Sequence, residues 1–224
     1  MPRENKSARR ARAQAIVERL MASYPNARCS LTHHSPFQLL IATMLSAQCT
    51  DERVNMVTPI LFERFPDALS MASADVEEIA NIIRSTGFFN TKSRNILACA
   101  QTLVQEHEGQ VPADLDTLVK LPGVGRKTAN VVLGTAFGVP GLVVDTHVIR
   151  IANLLELTHL KDAVKIEYAL QDIIPEEYWV IFTHLIIDHG RAVCIARRPQ
   201  CHQCVLRELC PSALPDELIR KKEL

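Results

Sequence analysis

The sequence predicts an all-α protein, and two features of its hydrophobic pattern support this fold class. Apolar residues recur at helical spacing, as between Val76 and Ile83, where positions i, i+3, i+4 and i+7 are apolar. The only strand-like run, at 142–144, has no evident pairing partner, so we expect an extended loop there. With 224 residues, 47% of them hydrophobic, the chain can bury a core in one large domain or two small ones.

Capping and turn residues place the boundaries of the predicted helices. Ser35 followed by Pro36 is typical of a helix start, because proline fits the first helical position. Thr50 and Ser73 are further N-cap candidates, and Gly190 is predicted to stop the last helix. The predicted helices span about 8–23, 36–47, 51–65, 74–83, 90–108, 114–119, 126–137, 145–156, 162–173 and 176–189.

Composition and charge narrow the possible classes of function. A net charge of +0 argues against a non-specific DNA coat, but it leaves room for a local basic face. The basic first twelve residues are not followed by the apolar run of a signal peptide. The longest apolar stretch, 131–144, is interrupted by glycine and proline and is too short to cross a bilayer. We therefore expect a cytoplasmic monomer without a membrane partner.

Four cysteines near the C-terminus form the most specific pattern in the chain. Cys194, Cys201, Cys204 and Cys210 have the spacing C-x6-C-x2-C-x5-C, and we call residues 194–210 the cysteine loop. Four thiolates favour zinc or an iron–sulfur cluster. Only the middle pair forms the short knuckle that structural zinc sites use twice, so the wider spacing suits a larger cluster without deciding between the two. Three other cysteines are predicted to be buried or half-buried thiols: Cys29, Cys49 and Cys99.

Arginines are concentrated in and around the cysteine loop. Arg197 and Arg198 are predicted to bind DNA phosphates, because the tip of the loop would project them outward. The alternative is that the arginines only balance the negative charge of a thiolate-bound cluster.

A glycine-containing turn upstream is predicted to bind a phosphate. Pro122, Gly123, Val124 and Gly125 join a short helix to the helix that begins near Arg126. Glycines let backbone N–H groups approach a ligand, and the first turn of a helix adds unpaired donors and a positive dipole end. Arginine rather than glycine precedes the lysine, which excludes a P-loop. A tight turn between helices that binds nothing is the alternative.

Lys127 and Asp145 are the candidate catalytic residues. The helix dipole disfavours a cation in the first turn and so favours a neutral, nucleophilic Lys127 amine, which could form a Schiff base. Asp145 could cap a helix, as aspartate often does, and could also handle protons or stabilise a cationic sugar. His147 is interpreted as structural.

These motifs together resemble those of bacterial endonuclease III, a family of the helix-hairpin-helix DNA glycosylase superfamily with an iron–sulfur cluster. The resemblance rests on the run Leu121–Asn130 (LPGVGRKTAN), on Val144–His147 (VDTH) and on the spacing of the four cysteines. It extends over residues 24–210, and the combination is far more specific than any single motif.

The resemblance implies two helical domains that flank a DNA-binding cleft. A six-helix barrel domain with the hairpin would occupy residues 29–139, and residues 1–28 with 140–224 would form a domain holding a [4Fe–4S] cluster. Lys127 would be the nucleophile and Asp145 its catalytic partner. Gln48 would fill the gap left by an extruded base, and Phe88 would occupy a wedge position where the family commonly has leucine.

The implied function is that of a bifunctional DNA glycosylase and abasic-site lyase. Its partner would be double-stranded DNA with a damaged base, such as thymine glycol, or an abasic site, and β-elimination would nick the strand 3′ of the lesion. One alternative is a monofunctional mismatch glycosylase, which Lys127 argues against. Others are a non-catalytic DNA-binding or redox-sensing iron–sulfur protein, and a zinc-bound structural module.

Overall fold

The computed structural model describes residues 4–215, and every regular element among them is helical. The all-α prediction is therefore confirmed. Among these residues, no helix combines the length and apolar character needed to cross a bilayer. The helices are α1 (Lys6–Ser23), α2 (Pro36–Leu45), α3 (Asp51–Arg64), α4 (Ala68–Ala72), α5 (Val76–Ile82), α6 (Phe89–Glu106), α7 (Leu115–Leu118), α8 (Arg126–Ala136), α9 (Thr146–Leu154), α10 (Ala163–Gln171) and α11 (Trp179–Ala192), with 3₁₀ turns at Arg84–Thr86, Glu176–Tyr178, Cys201–Gln203 and Arg207–Leu209.

The chain divides into two compact units. One is Cys29–Val139, which we call the hairpin unit; the other combines Met1–Arg28 with Pro140–Leu224, and we call it the cysteine unit. The end segments 1–3 and 216–224, which the predicted iron–sulfur domain includes, lie outside the described residues.

Helix α2 is the centre of the hairpin unit. Eight of its ten residues are buried, which is expected of a helix that is apolar on all sides. It packs against α3, α6 and α8, while α6 also packs against α4 and α5. Ser35 caps α2 through the backbone N–H of Gln38, and Thr50 caps α3 through that of Arg53, as predicted. The C-terminal end of α2 leads to Gln48, and the start of α6 follows Phe88.

The cysteine unit is built around α11, which packs against α1 and α9. The extended run Leu142–Val144 enters its core without a strand partner. The Thr183 hydroxyl donates to the carbonyl of Val143 at 2.8 Å, and the Val143 N–H donates to the hydroxyl oxygen of Thr183 at 3.2 Å. A side chain of α11 thus provides the hydrogen bonds that a neighbouring strand would otherwise supply.

The start of α5 and the presence of α4 differ from the sequence prediction. Asp75, rather than Ser73, caps α5, because its carboxylate accepts the N–H of Glu77 at 2.9 Å. Ser73 instead ends α4, a short helix that the hydrophobic pattern did not reveal. Asp67 and Ser70 form a capping box at the start of α4, which compensates for its small number of internal hydrogen bonds.

The prediction that Gly190 stops the last helix is wrong, since α11 continues to Ala192. A Cβ atom at Gly190 would lie 2.5 Å from Nδ1 of His147 and 3.0 Å from Cδ1 of Ile151. Glycine is therefore needed here because α9 packs closely against α11, and not because the helix ends.

Candidate DNA-binding and catalytic site

The hairpin turn between α7 and α8 has the features expected of a phosphate site. Gly123 has a φ of 75°, in the region that favours glycine, and both Gly123 and Gly125 are exposed. Gly125 is the N-cap of α8 and provides no side-chain hydrogen bond to the first turn. The positive end of an eleven-residue helix is thus available to an anion beside Arg126.

Val124 has a different role within the same turn. Its side chain is only 5% exposed, and its N–H donates to the carbonyl of Leu121 at 3.1 Å. The buried side chain anchors the turn to the core of the unit, and the hydrogen bond closes the turn itself. The surface that can meet a phosphate is therefore formed by the residues on either side of Val124.

Lys127 lies in the first turn of α8, as the sequence predicted, and it is exposed. The buried side chains of Ala129 and Asn130 follow it and fix the opposite side of this turn in the unit. An exposed amine on a fixed helix turn can approach a substrate atom with little rearrangement of the backbone.

Gln48 and Phe88 are exposed residues with strained backbones. Their φ angles are 53° and 48°, in the left-handed region that residues other than glycine seldom adopt. The Phe88 side chain is 66% exposed, which is unusual for a large aromatic residue. The structure brings both residues together with Gly123 around one cavity of about 220 Å³. Three of the predicted DNA-binding residues are thus neighbours.

Asp145 caps α9, and its carboxylate Oδ1 accepts the N–H of Val148 at 2.8 Å. This bond holds the carboxylate in place through one oxygen and leaves Oδ2 for another partner. His147 lies on α9 with its Nδ1 buried and without a hydrogen-bond partner among the described residues, facing Gly190. His147 is therefore a packing residue, in line with its structural interpretation.

The four cysteines of the loop line one cavity of about 290 Å³. No trio of His, Cys, Asp or Glu side chains among the described residues is close enough to hold a single metal ion. Four sulfur donors around a space of this size fit a multi-atom iron–sulfur cluster better than one zinc ion. Burial raises the pKa of the Cys210 thiol to about 11, and it also raises the pKa values of Cys194 and Cys204. These cysteines therefore need the positive charge of a bound metal to lose their protons and become thiolates.

Two residues beside the cysteines were missed by the sequence analysis. Arg150 Nη1 lies 3.5 Å from the sulfur of Cys194, and His189 Nε2 lies 3.6 Å from that of Cys204. Burial lowers the pKa of His189 to about 4, so its ring is neutral near pH 7. A neutral ring can accept from the Tyr24 hydroxyl, 3.1 Å from Nδ1, and donate to the sulfur from Nε2. No local sequence signal marks these residues, because each contact joins distant parts of the chain.

Arg197 and Arg198 are both exposed in the cysteine loop. No ion pair or hydrogen bond ties either side chain to the part of the chain that the structure describes. Arg150 contacts a cysteine sulfur, and Arg197 also lines the cavity of the four cysteines, whereas Arg198 does not. The two loop arginines therefore have the exposure that a phosphate contact requires.

Comparison with protein families gives two matches. Residues 41–176 match the HhH-GPD superfamily of base excision DNA repair proteins. Residues 194–210 match the iron–sulfur binding domain of endonuclease III.

Individual relatives agree with the family matches. Endonuclease III of Synechocystis sp. is 51% identical over 208 residues, which are 92% of this chain and 95% of that protein. A non-covalent endonuclease III–DNA complex has a TM-score of 0.88 at 42% identity and covers 94% of this chain and 98% of its own. A trapped endonuclease III–DNA covalent intermediate has a TM-score of 0.87 at 41% identity and covers 96% and 99%.

Proposed function

The chain belongs to the endonuclease III family of base excision DNA repair enzymes, and from this premise we propose which of its residues carry out the reaction. It is a bifunctional DNA glycosylase and abasic-site lyase with a [4Fe–4S] cluster. The observation that carries the residue assignment is the exposed Lys127 at the uncapped start of α8, beside the hairpin turn.

The first step is displacement of the damaged base. The hairpin turn binds a backbone phosphate through Gly123, Gly125 and Arg126, with Val124 anchoring the turn. The Lys127 amine donates its electron pair to the sugar C1′, the bond from C1′ to the base breaks, and the base leaves with that bond's electron pair and takes a proton from the solvent. Asp145 accepts the proton released by the attacking amine.

The second step is strand cleavage. The bond between C1′ and the ring oxygen O4′ breaks, O4′ takes up the proton held by Asp145, and an imine forms between Lys127 and C1′. This imine makes a C2′ hydrogen acidic. A proton acceptor removes that hydrogen as a proton. The C3′–oxygen bond then breaks, and the phosphate 3′ of the lesion leaves with that bond's electron pair. Hydrolysis of the imine then restores the amine. Asp145 Oδ2 is our candidate for proton transfer, because Oδ1 is held by Val148.

The DNA-binding assignments follow from exposure. We propose that Gln48 fills the space of the extruded base and that Phe88 enters the duplex as a wedge. Arg197 and Arg198 would contact phosphates. The four loop cysteines would hold the [4Fe–4S] cluster, which when bound fixes the loop that carries these arginines.

The proposed substrate is double-stranded DNA with an oxidised pyrimidine or an abasic site, processed by a monomer on cytoplasmic chromosomal DNA. The lesion class rests on the family resemblance. Initial rates on duplexes with thymine glycol, uracil or a mismatched adenine would test it. Light scattering with and without DNA would test the monomer.

Borohydride trapping tests the nucleophile. The wild type, incubated with thymine glycol DNA and borohydride, should give a covalent protein–DNA band, and Lys127→Gln should give none. Lys120→Gln, an exposed lysine just before the turn, is the matched control and should still be trapped. Base release by the wild type without a band would reject the imine, and binding without either product would favour a non-catalytic protein.

Asp145→Asn separates catalysis from helix capping. Asparagine caps helices about as well as aspartate, so the melting temperature should hold. Loss of the carboxylate should slow base release by about 10²–10⁴-fold, the usual contribution of a general acid or base. A full rate in this variant would remove Asp145 from the mechanism.

A further inference from the structure

Lys92 is a buried lysine for which the mechanism above has no role. It lies in the first turn of α6 and is 8% exposed. Its ammonium donates to the carbonyl of Leu45 at 2.8 Å and to that of Thr86 at 2.9 Å. Burial lowers the pKa of Lys92, and no carboxylate among the described residues pairs with it. A lysine placed so unfavourably needs a compensating role.

The two carbonyls lie where the Gln48 loop and the Phe88 loop begin. Leu45 is the last residue of α2, where helix carbonyls lack intrahelical partners and the dipole end is negative, and Gln48 follows three residues later. Thr86 ends a 3₁₀ turn two residues before Phe88. One ammonium therefore joins the starting points of both loops.

The tips of these loops need such support. Gln48 and Phe88 both have left-handed backbones, and strain of this kind persists only where surrounding contacts fix the conformation. Both side chains line the 220 Å³ cavity, and Lys92 lines it too. The contacts of Lys92 are thus placed to set the separation of the two tips.

We propose that Lys92 is a positioning residue that holds the Gln48 and Phe88 loops at the spacing required to enter the duplex and extrude a base. This inference rests on the DNA-binding roles proposed for those two loops. The competing explanation is that Lys92 only stabilises the hairpin unit. If Lys92 positions the loops, its replacement should slow the reaction most on substrates where a base pair must be opened. If Lys92 only stabilises the unit, the slowing should not depend on the substrate.

Two substrates separate the explanations. One is a duplex with thymine glycol opposite adenine, where a base must be extruded and its space filled. The other is a duplex whose preformed abasic site faces a base-less sugar analogue, where no pair has to be opened. Lys92→Met keeps the side chain's length without its donors, and Lys165→Met, on the exposed side of α10, is the matched control.

Single-turnover rates should show a substrate-dependent loss. We expect Lys92→Met to be slower by about tenfold to a hundredfold on thymine glycol DNA, because correct loop placement offsets much of the cost of extrusion. On the base-less duplex it should stay within about threefold of the wild type and still be trapped by borohydride. Fluorescence of 2-aminopurine opposite the lesion should rise less than with the wild type. Lys165→Met should behave like the wild type.

A double-mutant cycle with Phe88→Ala gives an independent test. If Lys92 acts through the loop tips, its loss should cost less when Phe88 is already missing. If Lys92→Met does not fold, Lys92→Gln, which keeps one donor group, is measured instead. Equal slowing on both substrates, additive effects in the cycle, or no slowing at all would overturn the proposal. Failure of the proposed function looks different, because wild-type protein would then not be trapped on the base-less duplex.

Discussion

Replacing Gly123 by alanine tests whether the hairpin turn is as tightly constrained as its geometry indicates. Alanine would have to adopt a φ of 75°, which costs about 1–2 kcal/mol for a residue with a Cβ. Its Cβ would lie 2.8 Å from Cβ of Asn95 and 3.0 Å from Cε of Met44, and such overpacking costs about 1–3 kcal/mol. The sum, about 2–5 kcal/mol, is a large part of a typical domain stability of about 5–15 kcal/mol.

Gly109 provides the matched control for this substitution. Its φ is 76°, but a Cβ there would meet no atom within 4 Å, so Gly109→Ala should incur only the backbone cost of about 1–2 kcal/mol. Urea unfolding of both variants with a common slope would give the difference directly. If Gly123→Ala were no more destabilising than Gly109→Ala, the close packing against Asn95 would be refuted.

Three further predictions concern stability. Gly190→Ala should lower the melting temperature by destabilising the cysteine unit by about 1–3 kcal/mol, because its Cβ would clash with His147; an unchanged melting curve would contradict this packing. Asp67→Ala should cost about 1 kcal/mol at neutral pH through loss of the cap. Hydrogen bonds from Ser70 lower the pKa of Asp67, so the stabilisation by this cap is present above the ordinary pKa of 3.8 and should fade as the pH falls through the lowered value. Urea midpoints of the wild type and of Asp67→Ala, at pH 7 and in acid, would measure this change. Removal of iron by a chelator should abolish visible absorbance and lower the melting temperature, because thiols as weakly acidic as Cys210 would then be neutral and would surround a large cavity. An unchanged melting temperature would mean that the cysteine loop folds without the cluster.

Features set by neighbouring residues could be predicted from the sequence, and features set by distant packing could not. Ser35 and Thr50 were identified as caps because the side chain that accepts the bond lies within three residues of the donor. Gly190 was misread because helix termination and close helix packing both select glycine, and only the position of α9 decides between them. The strained backbones at Gln48 and Phe88 had no sequence signal, since neither residue is one that favours a positive φ.

Lys92 and Lys127, both in the hairpin unit, also show that distant packing cannot be predicted from the sequence. Each lysine lies near the start of a helix, and only the glycine turn before Lys127 distinguishes the two in the sequence. The structure separates them by environment. The ammonium of Lys92 is enclosed and bound by two carbonyls, one of them 47 residues away in the chain, whereas Lys127 is exposed beside the hairpin turn. The Lys92 nitrogen is held by two carbonyls and cannot reach a sugar carbon without losing both bonds, so this lysine acts by holding other groups in place. Lys127 is free to approach a substrate because the fold leaves it exposed on a fixed helix turn.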